Sequence, residues 1–367
     1  MNTKLNITPL ADWNLFSDQQ PMIISGPCSA ESEEQVMETA KGLKALGINV
    51  YRAGIWKPRT SPNNFEGYGV KALPWLKKVQ EELGMKICTE IASKAHIEEC
   101  LKFGVDMLWI GARTTVNPFM VQEIAEALEG TDIPILVKNP VNPDIELWAG
   151  ALKRLNQLGI TKLGVIHRGF STFGNQKYRN SPGWEIALEL KSRYPELPFI
   201  ADPSHMGGAK EYLQEISQLA LDLGTDGLMI ESHICPAVAL SDAKQQLTPD
   251  ELGELIKRLK VRHIHSENPE YKENIYQLRA KIDVIDDNLI YILSERMKVC
   301  RQIGGYKKAN NIRIIQTNRW GEILEKVVKK GTDYGLTEKF VTDFFSAIHE
   351  AAIEEQNIII GKEKENL

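Results

Sequence analysis

One short stretch of this chain holds three side chains that can each give a lone pair to a divalent metal. They are His205, Glu231 and Asp242, in ADPSHMGG and DGLMIESHICPAVALSD, with an amphipathic segment between. His205 and Glu231 each close an apolar run, PFIADPSH and GLMIESH, where a buried parallel strand would hand over to its loop. Residues at the C-terminal ends of strands in α/β barrels line the active site. Cys28, after the apolar run of MIISGPCSAES, is the candidate fourth ligand. One thiolate, one imidazole and two carboxylates suit a divalent transition metal, with Mn2+, Fe2+, Co2+ and Zn2+ all compatible. Singly, each residue also has an ordinary reading, as an inert buried cysteine or a turn that caps a helix. It is the four together on one face that point to a metal.

The elements that must position these groups are legible as an alternation of short apolar runs and amphipathic segments from Pro21 to about Lys260. The runs are MIIS, NVYRA, KICTEI, MLWIG, PILVK, KLGVI, PFIA and GLMIE. Eight strands, each followed by a helical pattern over ~240 residues, make a (β/α)8 TIM barrel. Residues 1 to 20 read as a short extra element that covers the barrel floor. The ends of the runs are chemically loaded: Arg52, Lys57, Arg59, Arg113, Lys138 and Arg168 share one rim with the metal candidates. Any one of them could be a solvated surface cation, but six converging there imply a substrate with several negative charges, most simply phosphates and a carboxylate.

Composition shifts near Val261. The polar, aperiodic stretch 261–272 reads as a linker between a barrel domain at 1–260 and a helical domain at 273–367. Leu278, Ile282, Ile285, Leu289, Ile292, Leu293, Val299 and Ile303 recur at nearly heptad spacing in Tyr276 to Ala309, and Arg319 to Lys330 and Thr337 to Ile360 give two further helices. On the first helix Arg296 and Lys307 fall within ~20° of one another, whereas Arg279 lies ~25 Å from Arg296 along the axis and ~100° off that face. Arg279 is therefore an ordinary surface arginine or serves a second site, which in a paired helix belongs to a partner chain. The segment could equally be a dimerisation coil with solvated charges.

Length and composition bound the class. At 367 residues, 43% hydrophobic and 25% charged, the chain has the make-up of a soluble globular protein. A net charge of -5 leaves no electrostatic footprint for nucleic acid. Five cysteines without a CxxC pair suit a reducing compartment. The N-terminal MNTKLNITPLADW lacks the apolar core of a signal peptide, and no run reaches the ~18 apolar residues of a membrane span, so a cytoplasmic protein that acts on small molecules is expected.

GPCSAES, RAGIWKPRTSPNNFEG, IGAR, KN, HRG, DPSHMGG, IESH, ALSD and QQL occur in that order across the barrel region. With these strings, residues 20 to about 260 resemble the metal-dependent 3-deoxy-D-arabino-heptulosonate 7-phosphate synthases, in the short subfamily shared with the 3-deoxy-manno-octulosonate 8-phosphate synthases. KPRTS looks like the erythrose 4-phosphate version. The resemblance implies Cys28, His205, Glu231 and Asp242 as ligands of a divalent metal, Mn2+ first, with His233 as a rival to Glu231. It implies Arg52, Lys57, Arg113, Lys138 and Arg168 around phosphoenolpyruvate, Arg59 and Thr60 on the phosphate of erythrose 4-phosphate, and Lys57 as the proton donor.

Residues 273 to 360, through LRAKIDVIDDNLIYILSER, Lys307, Arg319 and Gln356, resemble the all-helical chorismate mutases. That implies a three-helix homodimer in which Arg279 of one chain and Arg296 of the other hold the two carboxylates of chorismate, Arg319 joins the binding set, and Lys307 and Gln356 donate to the ether oxygen. The chain departs from that pattern at Gln316 and Trp320, where acidic residues are common. A two-headed enzyme of aromatic amino acid biosynthesis, with feedback through the helical domain, is the resulting expectation. The alternatives are an octulosonate 8-phosphate synthase barrel and a helical domain that only regulates or dimerises.

Overall fold

The computed structural model describes residues 4–16, 21–58, 63–172, 177–262, 266–314 and 317–361, the side chains of 317–319 and 360 excepted. The chain divides into two compact units, Met1–Ile264 and His265–Leu367.

Each of the eight apolar runs forms a strand: β1 (Met22–Gly26), β2 (Val50–Arg52), β3 (Lys86–Ile91), β4 (Met107–Ile110), β5 (Ile135–Lys138), β6 (Leu163–His167), β7 (Phe199–Ala201) and β8 (Gly227–Glu231). They close in sequence order into an all-parallel barrel, β8 pairing back onto β1 with Gly26 opposite Glu231. The runs are nearly all apolar because both faces of each strand are covered, the outer face by helices and the inner face by the opposite wall. Outward residues such as Tyr51, Ile87, Leu108 and Val165 join the larger core under the helices. Inward residues Ile24, Val50, Cys88, Trp109, Leu136, Ile166, Ile200 and Met229 form a separate core inside the barrel. Trp13 and Leu15, at and just after the short turn of helix Leu10–Trp13, join that inner core, which is how the N-terminal segment stoppers the barrel.

The strand period of two then places the chemistry. Two residues beyond the inner apolar layer stand Arg52, Glu90, Lys138, Arg168, Asp202 and Glu231, after Val50, Cys88, Leu136, Ile166, Ile200 and Met229. The barrel interior therefore changes from apolar to charged in one step toward its C-terminal mouth. At the same level β1 carries Gly26 at φ 150, where a Cβ would lie 1.9 Å from the Arg52 carbonyl oxygen, so only glycine lets β1 and β2 come together there.

The second unit contains three helices among the described residues: Pro269–Ala309, Thr317–Asp333 and Glu338–Gly361. The first starts inside the stretch read as linker, because Asn268 accepts from the Glu270 and Tyr271 amides and Pro269 stands at the first helical position. The third helix runs alongside the first in the same direction: Arg301 meets Glu355, Gly304 abuts Gln356, and Lys308 donates to the Ile359 carbonyl. These contacts lie in the last third of the long helix. Its earlier part keeps Leu278, Ile282, Ile285 and Ile292 more than half exposed.

Candidate functional site

At the barrel mouth Cys28, Glu231 and Asp242 each bring a donor atom within 4.8 Å of the others. Cys28 follows β1, Glu231 ends β8, and Asp242 comes from the loop after β8, where it adopts φ 45, a left-handed conformation that aspartate tolerates better than most residues. Cys28 Sγ is 3.4 Å from Asp242 Oδ2. His205, on the short helix Pro203–Gly207 after β7, stands at the edge of this group, its Nε2 3.6 Å from Glu231 Oε1. Its Nδ1 lies 2.8 Å from Asp202 Oδ2, which leaves Nε2 as the nitrogen toward the cluster. His233, the rival, turns elsewhere: its Nδ1 accepts from the Cys235 amide and its Nε2 lies 3.5 Å from Glu31.

The residues present fit a divalent cation. Glu231 Oε1 is buried and accepts no hydrogen bond, although Arg52 Nη2 stands 3.2 Å away. Burial, with the adjacent Glu231 charge, pushes the Cys28 thiol up to about 12. Lys57 and Arg52 do not offset that, so a thiolate there needs further positive charge, which a bound divalent cation would supply at neutral pH.

Cations also stand around the cluster. Arg52 is 1% exposed, pairs with Glu231 and stacks its guanidinium 5.0 Å from the Trp109 ring centre. Burial works against its charge, and Glu231 and its other acidic neighbours outweigh that. Lys57 Nζ donates to the Cys28 carbonyl at 2.8 Å and lies 3.1 Å from its Sγ. Lys138 Nζ is 2.9 Å from Asp202 Oδ2 in a pair with almost no exposure. Arg168 donates from Nη1 to Asn180 Oδ1 and the Gly169 carbonyl. Burial, opposed by Asp202 and aided by the Arg179 and Arg113 charges, brings its guanidinium down to about 10. Arg113 sits on the helical turn Ala112–Thr115 after β4, on the exposed side. Arg59 and Thr60 lie outside the described residues.

Four residues that hold this arrangement escaped the reading of the sequence. Asp202 joins Lys138 to His205, Arg179 reaches Asp242, Gln245 donates to Glu231, and Gln246 accepts from the Cys28 amide. Asp202 had a usable signal, since it comes two residues after Ile200 as Glu231 does after Met229. The two glutamines stood in the QQL string, which marks them without assigning them a role.

In the helical unit, Arg296 Nη1 lies 3.7 Å from Cys300 Sγ, Lys307 Nζ donates to the Ile314 carbonyl at 2.6 Å, and Gln356 is buried with its Oε1 unpaired. Arg301–Glu355 and Gly304–Gln356 set a register that carries Arg296 toward His349, and the Arg296 and Lys307 charges, after burial, lower the His349 pKa. Trp320 stacks on His349 at 4.1 Å between ring centres. Arg279 is exposed. The Arg319 side chain and Gln316 lie outside the described residues.

Comparison with known proteins agrees with both halves. Residues 7–265 match the DAHP synthetase I family, and residues 278–357 match chorismate mutase type II. The chain is 34% identical over 238 residues to a phospho-2-dehydro-3-deoxyheptonate aldolase of Thermotoga maritima, which covers 65% of this chain and 68% of that protein. It is 30% identical over 287 residues to a 2-dehydro-3-deoxyphosphooctonate aldolase of Desulfotalea psychrophila, covering 70% and 97%. A crystal structure of the Thermotoga maritima aldolase (DAHP synthase) superimposes with a TM-score of 0.61 at 30% identity, over 69% of this chain and 72% of that one. No helix among the described residues is long and apolar enough to cross a membrane. The chain belongs to the DAHP synthetase I family and carries a chorismate mutase type II domain behind its barrel, so that one polypeptide holds two enzymes of aromatic biosynthesis.

Proposed function

We propose that the barrel condenses phosphoenolpyruvate with erythrose 4-phosphate to 3-deoxy-D-arabino-heptulosonate 7-phosphate and phosphate, at a divalent cation held by Cys28, His205, Glu231 and Asp242. Mn2+ is the metal we favour over Fe2+, Co2+ and Zn2+, because two of the four donors are carboxylates. The observation that carries this reading is the ring of buried charges one strand period beyond the apolar interior, with a thiol and two carboxylates converging at its edge.

A bound cation supplies Lewis acidity toward the aldehyde oxygen of the sugar phosphate. Arg52, Lys138, Arg168 and Arg113 hold the phosphate and carboxylate of phosphoenolpyruvate, and burial of the first three makes their charge more effective than it would be in water. Arg59 and Thr60 are assigned to the phosphate end of the second substrate. With both substrates fixed, the methylene carbon of phosphoenolpyruvate attacks the aldehyde carbon. Lys57 Nζ, held beside Cys28, delivers a proton to the oxygen that becomes an alkoxide. Water adds at the other former alkene carbon and phosphate leaves.

The helical domain, read as 273–367 behind a linker at 261–272, rearranges chorismate to prephenate without metal or nucleophile. Arg296 and the partner's Arg279 hold the two carboxylates, Arg319 joins the binding set, and Lys307 and Gln356 stabilise the negative charge that grows on the ether oxygen as the bond breaks. The homodimer this requires is supported by the exposed stripe Leu278, Ile282, Ile285, Leu289 and Ile292, which is at heptad spacing on a helix that its own chain leaves uncovered there. Feedback completes the reading: prephenate or chorismate bound to the helical domain restrains the barrel, a coupling that is reciprocal for binding. A barrel severed at the linker that stays equally sensitive to prephenate would refute the feedback.

The test of the synthase is phosphoenolpyruvate consumption with erythrose 4-phosphate, on enzyme stripped by chelator and then resupplied with Mn2+. Consumption should vanish and return. Consumption only with arabinose 5-phosphate would instead make the barrel an octulosonate phosphate synthase.

A further inference from the structure

Each carboxylate of the proposed metal site has one oxygen tied from outside and one turned inward. Gln245, 1% exposed, donates from Nε2 to Glu231 Oε2 at 2.6 Å. Its own Oε1 accepts from Arg179 Nη1 at 2.9 Å, and the same Nη1 reaches Asp242 Oδ1 at 3.1 Å. The opposite oxygens face the cluster: Glu231 Oε1, which accepts no hydrogen bond, and Asp242 Oδ2, which accepts from Cys28 Sγ. The amide can sit only this way round, because reversing it would set oxygen against carboxylate and N–H against guanidinium. Gln246, the next residue, secures the third donor: its Oε1 accepts from the Cys28 amide at 2.9 Å and its Nε2 donates to the Ser241 carbonyl at 2.8 Å.

We propose that Gln245 and Arg179 form an outer ring that makes Glu231 and Asp242 each present a single oxygen, and that Gln245 is therefore a positioning residue of the synthase reaction. The proposal rests on reading Cys28, His205, Glu231 and Asp242 as metal ligands. A carboxylate left to turn can engage a cation through both oxygens, which fills positions that the reactants need; one pinned at its outer oxygen cannot. Arg179 adds a second consequence, since its side chain is 46% exposed and so links the part-buried Asp242, and through Gln245 the buried Glu231, to the rim of the mouth.

Gln245→Leu, of similar volume, removes both of its hydrogen bonds. On the full-length protein we expect Mn2+ affinity, measured by competition with a chelator, to weaken about 10- to 100-fold. The electron paramagnetic resonance line shape of bound Mn2+ should change as well, because Glu231 no longer offers one fixed oxygen. Should Gln245→Leu fail to fold, Arg179→Met, at a half-exposed position, is expected to give the same two changes through Asp242. Wild-type affinity and an unaltered spectrum in the folded variant would overturn the proposal. Wild-type protein that does not bind Mn2+, or Cys28→Ala that binds it as tightly as wild type, would instead overturn the metal reading beneath it.

Discussion

Lowering the pH from 7.5 to 5 should cost the wild-type chain about 2 kcal/mol of stability that a His167→Gln variant keeps. His167, at the end of β6, is fully buried among Trp148, Phe170, Trp184 and Phe199. One nitrogen, Nε2, is 2.6 Å from the Pro182 carbonyl and so carries the proton, while Nδ1 has no hydrogen-bond partner. A second proton would place a charge and an unmatched N–H in this shell. Burial is the main reason that the imidazole is brought down from 6.5 to about 3, with the Arg168 charge adding and the Pro182 carbonyl opposing. The folded state thus refuses a proton that the unfolded chain accepts, so stability is full above about pH 6.5 and falls as pH drops toward 3. For those two values the loss is ~2 kcal/mol at pH 5 and less than ~0.1 kcal/mol at pH 7.5. Glutamine keeps an N–H for Pro182 and does not titrate. Urea denaturation of both proteins at both pH values checks this, with the shared titration of carboxylates cancelling in the difference. A stability gap between wild type and variant that is the same at pH 7.5 and pH 5 would refute the reasoning.

Three further outcomes are expected. Arg52→Met leaves Glu231 as an unpaired buried charge and should lower the stability of metal-free protein by about 3–5 kcal/mol, with Mn2+ recovering part of it; a urea midpoint unmoved from wild type would contradict the buried pair. Arg296→Ala and Lys307→Ala should each lower chorismate turnover about 10²- to 10³-fold while phosphoenolpyruvate consumption stays at the wild-type rate, and unchanged chorismate turnover would leave the helical domain a regulatory or dimerising module. Ile285→Lys puts a charge on the exposed stripe, so sedimentation should show a monomer with lost mutase activity; a dimer that persists would send the interface to another surface.

Much of the barrel was legible because its strands are buried on both faces, which turns each into an apolar run bounded by turn residues. The eight runs could be counted and their C-terminal ends located, and the charged residues at those ends identified as one rim. Periodicity likewise located the three helices, although the first began earlier than the apolar repeat, where Asn268 and Pro269 start it. Less legible was which charges would face one another. His205 and His233 each come after a strand run within a few residues of a carboxylate, yet the fold turns the first toward Glu231 and the second toward Glu31.

By itself, then, the sequence determined the barrel, the helical domain and the inventory of candidate donors and cations, because strand period, helix period and side-chain chemistry are local properties. The tertiary structure alone decided that Asp202 would join Lys138 to His205, that Arg52 would lie on Glu231, and that Gln245, Gln246 and Arg179 would tie the donors from outside. Those partners come from separate strands and loops. They meet only because barrel closure pairs β8 with β1 and brings the C-terminal ends of the parallel strands to one mouth.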